Sequence, residues 1–586
     1  MDKLQNNKTP KLSLIPKLKK IEKLDKTDQN LNLALTGMSK LTVGEKRFNP
    51  IIKFDFETLK AEESTEELEM SDKYSQDLSF ESFDENDEKK NIKINTVKCK
   101  GELKLLRSII DKNNWKEVFD ESAHIFWSSI SLPIEDYKIA LRSNKYLSRI
   151  PGISEISLKK ITGDILNKYL SYYPDDYNFF PKTFLLPEQL GLFKSYFNST
   201  TDEIFIAKPT NGFQGDGIIL IHSLTDLPNF DFLKKTNNKY QEYVVQKYID
   251  NPLLIEKKKF DLRLYVLISS VEPFICYLNE EGLARFCTQE YKAPNKKNMR
   301  NTFMHLSNYS LNKNSDFYKH SDEVVEISDG TKRSLTSFWK SCENAGYKKE
   351  EILGPAENLI KKFMIAIYPF LLLSYNNIFS GRDLNCFHVI GVDILYDEDL
   401  NPFILEINSN PSLSISAPTP HYGKLTDEKS NISVIDLFVK EKAIEDAIKI
   451  VVNPIDKQME IGIGNWYYSY KQLINFEIEP REDDLFMKIK LLYSTITSTS
   501  KEKVINVNKF LKISTLLNIV NDKVTKADYF LIFQKVNLGN TKTSINIYKF
   551  ISALELVAEK VYEINEDNKL DGMLQLVETL QNLVDS

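Results

Sequence analysis

A chain of 586 residues with a formal net charge of -6 has room for roughly two to four domains with real cores, and its mild acidity does not suggest a dedicated nucleic-acid binder. No stretch approaches about 18 consecutive apolar residues, which excludes a helical membrane span, and the polar opening MDKLQNNKTPKLSLIPKLKK is no secretory signal. Five scattered cysteines, an odd number, argue for reduced cytosolic thiols over a disulfide framework or a zinc site.

Residues 1–100 read as a charged, disordered leader. Lysines crowd residues 1–27, and EESTEELEMSDKYSQDLSFESFDENDEKK is acidic, serine-rich and poor in apolar clusters, so too little can be buried to offset the entropy of ordering. Order is expected from Gly101, where LKLLRSIIDKNNWKEVF spaces its apolar residues as a helix does. From 101 to 455, strands and helices alternate with short connections, the mark of a mixed α/β body. Residues 456–495 read as a polar connector. Residues 496–586 read as a small, separable all-α domain.

Within the α/β body, IFIAKPTNGFQGDGIILI sets two β-rich runs around three glycines. Gly212, Gly215 and Gly217 allow positive φ and close backbone approach, which suits a loop lying over phosphates, and Lys208 ends the first run where an ammonium could reach one. No Gly-Lys-Ser/Thr follows and the loop leads into a strand, so this is not a P-loop. A glycine hairpin closing over a nucleotide is the functional reading; an ordinary Gly-rich hairpin is the commoner source of such a pattern.

Next, YVVQKYI reads as a short buried strand whose edge could pair with an adenine ring. KFDLRLYVLI alternates, so Lys259, Asp261 and Arg263 share one face and Phe260 and Leu262 the other. A solvent face is the usual origin of such alternation, but the strand is too apolar for that, and buried charges demand a ligand or partner. EGLARF then offers Arg285, a forked donor for carboxylate or phosphate. In FHVIGVDILYDEDLNPFILEINSN, a hairpin with an acidic turn brings Asp393 across from Glu406 and Asn408, which point the same way. Hard oxygen donors of this kind suit Mg²⁺ completed by phosphates and water.

Taken in order, RIPGISEISLKK, FFPKTFLLP, IAKPTNGFQGDGI, VVQKYI, KFDLRLYVLI, EGLARF, MHLSNYSLNK and GVDILYDEDLNPFILEINSNPS resemble a tubulin tyrosine ligase-like enzyme over about residues 101–455. The resemblance implies an ATP-grasp fold, with ATP and Mg²⁺ held between two β-rich lobes and a carboxylate ligated to an amine. By position it implies that Lys208, Gln214 and Gly215 contact phosphates and that Gln246, Lys247, Tyr248 and Ile249 line the adenine pocket. Lys259 and Asp261 would lie near the ribose, with Phe260 between them in the ATP site. Ser307 and Asn308 match a Thr-Asn pair at the nucleotide, the serine keeping the hydroxyl. Asp393, Glu406 and Asn408 would hold magnesium, and Arg263 and Arg285 would be catalytic. Arg285, Tyr309, Ser310 and Lys332 would bind free L-glutamate, as in the glutamylating branch.

The segment NPSLSISAPTPHYGKLTDEKSNISVIDLFVKEKAIEDAIKIV resembles the polyglutamylases that extend chains, which favours glutamate over glycine or tyrosine. The resemblance further implies tubulin and microtubules as partners, a monomer, and a cytoplasmic, cytoskeletal setting, with cilium, axoneme or basal body as alternatives within it; charge and the lack of an apolar span already speak against nucleic acid and membrane. Toward the C-terminus, NVNKFLKISTLLNIVNDKVTKADYFLIFQKV and the helix after it resemble the tubulin polymerisation promoting protein family, against a generic helical packing domain. Its loop NLGNTKTSINIY lacks the alternating carboxylates and final Glu that calcium requires, so no calcium is expected there. Two other classes stay open: a ligase acting on a small molecule or non-tubulin protein, and a non-catalytic microtubule-associated protein.

Overall fold

The computed structural model describes residues 91–586 apart from 101–102, 143, 201–202, 213–214, 229–241, 379–383, 418–431, 453–465, 468, 477–483, 499–502, 518–522, 538–542, 563, 565–567 and 586. The leader thus lies outside the described residues except at its end, where order begins ten residues before Gly101. There β1 (Lys93–Lys98) buries Ile94, Asn95 and Thr96 in a small parallel sheet with β2 (Lys116–Val118), β3 (Ile125–Ser128) and β4 (Tyr146–Leu147), in the order β2-β1-β3-β4. Helix α1 (Leu103–Lys112) returns the chain and buries Leu105, Leu106, Ile109 and Ile110.

Helix α2 (Lys159–Tyr172) leads into a second, antiparallel sheet. Its strands are β5 (Thr183–Leu186), β6 (Phe205–Pro209), β7 (Ile219–Ile221) and β8 (Tyr243–Lys247), in the order β5-β8-β6-β7. Helix α3 (Leu190–Ser199) covers one face, its Phe193 ring lying 5.3 Å from Phe184 and 5.2 Å from Phe205. The glycine hairpin is the β6–β7 turn. Gly215 and Gly217 take φ of +86° and +69°, and a Cβ at Gly215 would fall 2.7 Å from Leu311.

The central sheet is larger. It comprises β9 (Leu254–Ile255), β10 (Lys258–Ser270), β11 (Phe274–Phe286), β12 (Lys332–Ser334), β13 (His388–Tyr396), β14 (Pro402–Asn408), β15 (Trp466–Tyr467) and β16 (Tyr470–Phe476), with the main path β14-β13-β10-β11-β16-β15. Its helices are α4 (Leu335–Asn344), α5 (Lys349–Asn376) and α6 (Val434–Val452). Strand alternation divides β10 between two cores. Phe260, Leu262, Leu264, Val266 and Ile268 join the α5 side, while Tyr265 and Leu267 join the α6 side. On that second face the apolar run stops at Arg263, and Asp261 and Lys259 continue it with charge.

Two boundaries differ from the sequence reading. Part of the expected connector is structured: β16 pairs with β11 from Phe274↔Phe476 to Asn279↔Tyr470, because Tyr470, Leu473 and Ile474 have apolar cores to enter. The C-terminal helices are α7 (Leu485–Thr497), α8 (Val507–Leu517), α9 (Lys526–Val536), α10 (Ile547–Tyr562) and α11 (Lys569–Asp585). They share one continuous apolar core with α2 and α5. Phe486 stacks on Tyr169 with centroids 4.3 Å apart, and Tyr548 stacks on Phe370 at 5.1 Å. The bundle is therefore built into the α/β body rather than tethered to it. Among the described residues no helix is long and apolar enough to cross a membrane.

Candidate functional site

The register of the central sheet assembles the charges. Asp261 lies opposite Arg285, Arg263 opposite Asp393, Asp393 opposite Glu406, and Arg285 opposite Lys332. Residues from five strands thus meet on one face, although they lie far apart in sequence. Arg263 grips both oxygens of Asp393, its Nη2 donating to Oδ2 at 2.8 Å. Arg285 Nη2 donates to the same Oδ2 at 2.7 Å and Nε to Asp261 Oδ1 at 2.5 Å. Ser307 donates its hydroxyl to the other oxygen of Asp261. Against the upward push of burial, the two guanidiniums hold the Asp393 carboxyl well below the usual range. Burial pushes Asp261 up; Arg285 opposes this and the Asp393 charge reinforces it.

Above this network lies a cleft walled by the second sheet on one side and the central sheet on the other. Lys208, Gln246, Lys247, Tyr248, Ile249, Lys259, Asp261, Arg285, Ser307, Asn308, Asp393 and Glu406 all line it, so the structure brings together most of the expected nucleotide residues. Lys208 Nζ donates to Gln246 Oε1 at 2.7 Å and to the Leu405 carbonyl at 3.3 Å. Lys259 Nζ donates to the Tyr248 hydroxyl at 2.9 Å and sits 4.0 Å from that ring's centre. Among the described residues neither ammonium has a carboxylate within 4.0 Å. Burial pushes each lysine down to about 8. Two buried cations held only by neutral oxygens make a site that favours an anion.

Other expected residues fall elsewhere. Phe260 is turned away from the cleft, because alternation sends its ring into the apolar core, 5.5 Å from Phe286 and 5.0 Å from Phe338. The Lys247 side chain points outward to Glu203 at 2.6 Å, so its backbone forms the cleft edge. Gln214 lies outside the described residues, and Gly215 flanks it beside Asn308. Tyr309 and Lys332 form an adjoining patch rather than the cleft wall, and Ser310 follows Tyr309 in the same short helical turn. Lys332 Nζ lies 4.3 Å from the centre of the Tyr309 ring and is bound by Asp436.

Sequence reasoning missed the partners of Lys332. Asp436 also pairs with Lys440 at 2.9 Å, and against burial the two ammoniums hold it to about 2. Both residues belong to α6, and all three groups are buried. The available signal was an i, i+4 acid–base pair set among Ile435, Val439 and Ala443 on an apolar stripe. His305 was missed too: it lines the cleft, its Nδ1 3.1 Å from the Tyr248 hydroxyl, and burial with the Lys259 charge lowers it to about 4.

The residues present fit a hard divalent cation. Asp393, Glu406 and Asn408 lie along two paired strands and offer two carboxylates and an amide oxygen. The Glu406 side chain is partly open, with Asn408 Nδ2 3.5 Å from its Oε1. Asp393 would share its oxygens with the arginines.

The protein is thus of the α/β class, with a buried cationic cleft between two antiparallel sheets, floored by an arginine–aspartate network. Residues 139–428 match the Tubulin-tyrosine ligase family, and residues 492–582 match p25-alpha. The chain is similar to tubulin polyglutamylase TTLL11 of Mus musculus, 34% identical over 65% of this chain and 52% of that protein. It is 27% identical to tubulin polyglutamylase ttll-11 of Caenorhabditis elegans over 76% of this chain and 66% of that one. A probable beta-tubulin polyglutamylase of Tetrahymena thermophila is 32% identical over 63% of this chain and 32% of its own length. The chain thus spans less than two thirds of the length of each.

Proposed function

We propose that this chain is an ATP-dependent ligase of the ATP-grasp kind that adds free glutamate to glutamate carboxylates on acidic tubulin tails, extending a glutamate chain. The observation that carries this reading is the pair of buried lysines, Lys208 and Lys259, facing one cleft without a carboxylate partner among the described residues. Phosphates of ATP would supply the missing negative charge. The names of the relatives, tubulin polyglutamylases, suggest the amino acid and the acceptor.

A carboxylate is too poor an electrophile to form an amide directly. In the proposed reaction an acceptor carboxylate oxygen attacks the γ-phosphorus, the bond to the β,γ-bridging oxygen breaks, and ADP leaves. The glutamate amine then attacks the acyl carbon, the bond to the phosphoryl oxygen breaks, and phosphate leaves with the amine proton. Lys208 holds the phosphates, Lys259 reaches the same anion from the ribose side beside Tyr248, and Arg285 and Arg263 face the charge that develops during transfer. Asp393, Glu406 and Asn408 would hold magnesium, which when bound supplies Lewis-acid neutralisation of phosphate charge. Lys332, Tyr309, Ser310 and Arg285 would receive the carboxylates of free glutamate.

The test is ATP-induced thermal stabilisation of the full chain beside glutamate incorporation. Lys208→Met and Lys259→Met should each abolish both while leaving the ligand-free melting temperature unchanged or higher. Undiminished stabilisation by ATP in both variants would overturn the cleft assignment.

A further inference from the structure

Helix α2 begins against its local electrostatics. Its first turn carries Lys159 and Lys160 and no acidic residue, although the partial positive charge of a helix N-terminus disfavours cations. Lys160 is accounted for by Glu188 at 2.6 Å and Glu242 at 2.7 Å. Lys159 turns the other way. Its Nζ donates to the Gly212 carbonyl at 2.9 Å, just past β6, and lies 3.9 Å from Glu406 Oε2 on β14. It also lines a small cavity behind the cleft with Lys208, Gln246 and Glu406. One ammonium therefore bridges the two sheets at the carboxylate proposed to meet magnesium. A local rule broken at such a place marks a functional position.

The far end of α2, roughly 20 Å away at about 1.5 Å per residue, is gripped by the C-terminal bundle. Tyr169 stacks on Phe486 at 4.3 Å, the Tyr172 hydroxyl donates to Glu555 at 3.0 Å, and Lys569 Nζ donates to Ser171 at 3.1 Å. Close-packed interiors transmit position, so a shift at this end displaces the first turn.

We infer that Lys159 is a positioning residue of the ligase site, holding Glu406 and the β6 end of the cleft, and that the bundle fixes it there by gripping α2. This rests on the ligase reading above. In the full-length protein, binding of ATP with magnesium is measured by titration calorimetry, together with KM for ATP and kcat. Lys159→Met should weaken ATP binding and raise its KM about tenfold at an unchanged melting temperature, and Lys159→Arg should restore most of the loss.

Phe486→Ala should weaken ATP binding in the same direction, with Tyr172→Phe as the milder variant if the first fails to fold. Either change combined with Lys159→Met should be no weaker than Lys159→Met alone. Phe510→Leu, beside Tyr529 and Phe533 in the bundle's own core, should lower the melting temperature and leave ATP affinity unchanged. Wild-type affinity in Lys159→Met would overturn the role of Lys159, and additive losses would overturn the coupling. A wild type that binds no nucleotide would overturn the ligase reading and this inference with it. If it binds nucleotide but ligates no glutamate, the binding arm still decides the inference.

Discussion

Asp393 and Glu406 face each other across β13 and β14, yet only Asp393 is fully engaged. Its side chain is 2% exposed and held by two guanidiniums, whereas Glu406 is 26% exposed with Lys159 at 3.9 Å. Removing the two charges should therefore have different consequences. Asp393→Asn leaves two buried arginines undercompensated and should cost about 3–5 kcal/mol of stability as well as activity. Glu406→Gln should abolish ligation with a stability change within about 0.5 kcal/mol. Thermal melts beside incorporation assays separate these outcomes; equal destabilisation would contradict the geometry.

Lys208 and Lys259 predict a pH signature. Burial pushes both down to about 8 in the folded chain, below the ordinary lysine value of 10.5. Between these values the unfolded chain binds more protons, so these two groups make ligand-free stability rise with pH across that window. Below about 8 both states are protonated, and the full cost of burying the charges remains. A polyanion restores the charge, so ATP binding above pH 8 should take up protons and weaken as pH rises. Calorimetry at pH 8.5 in buffers of different ionisation enthalpy measures that uptake; no uptake would contradict the assignment.

The shared core predicts cooperativity. Because the bundle helices bury their apolar faces against α2 and α5, the chain should melt in one transition. Deleting residues 485–586 should expose Tyr169, Tyr172 and Phe370 and give an aggregating product. Two independent transitions, or a well-folded truncated chain with full activity, would count against a fused core.

Asp436 offers a test of the glutamate patch. Asp436→Asn leaves Lys332 and Lys440 without their shared counter-charge, so Lys332 should lose its fixed position beside Tyr309. KM for glutamate should rise about tenfold or more, consistent with one lost charged hydrogen bond, and KM for ATP should change much less. Equal changes in the two constants would indicate general damage.

Much of this was legible because period-2 patterns are local. The hairpins at 205–221 and 388–408, and the charged face of β10, follow from alternation and turn residues alone. Phe260 was misplaced because position was carried from a motif where alternation already turned the ring away. Long-range pairings left no local trace. Lys332 and Asp436 are 104 residues apart and meet only once α6 docks on the sheet. Strand β16 was hidden for the same reason: its partner on β11 lies nearly two hundred residues earlier, and the flanking segments read as polar. The union of bundle and body depends on Tyr169 and Phe370, aromatic residues whose partners lie in another domain.

Ligation of glutamate is tested most directly by offering labelled glutamate, glycine and tyrosine to the full-length chain with ATP, magnesium and microtubules. The expected result is ATP-dependent incorporation of glutamate into the acidic tubulin tails, lost in Glu406→Gln and Lys208→Met, with little glycine or tyrosine incorporated. Incorporation of glycine or tyrosine without glutamate, or glutamate incorporation that survives both substitutions, would contradict it.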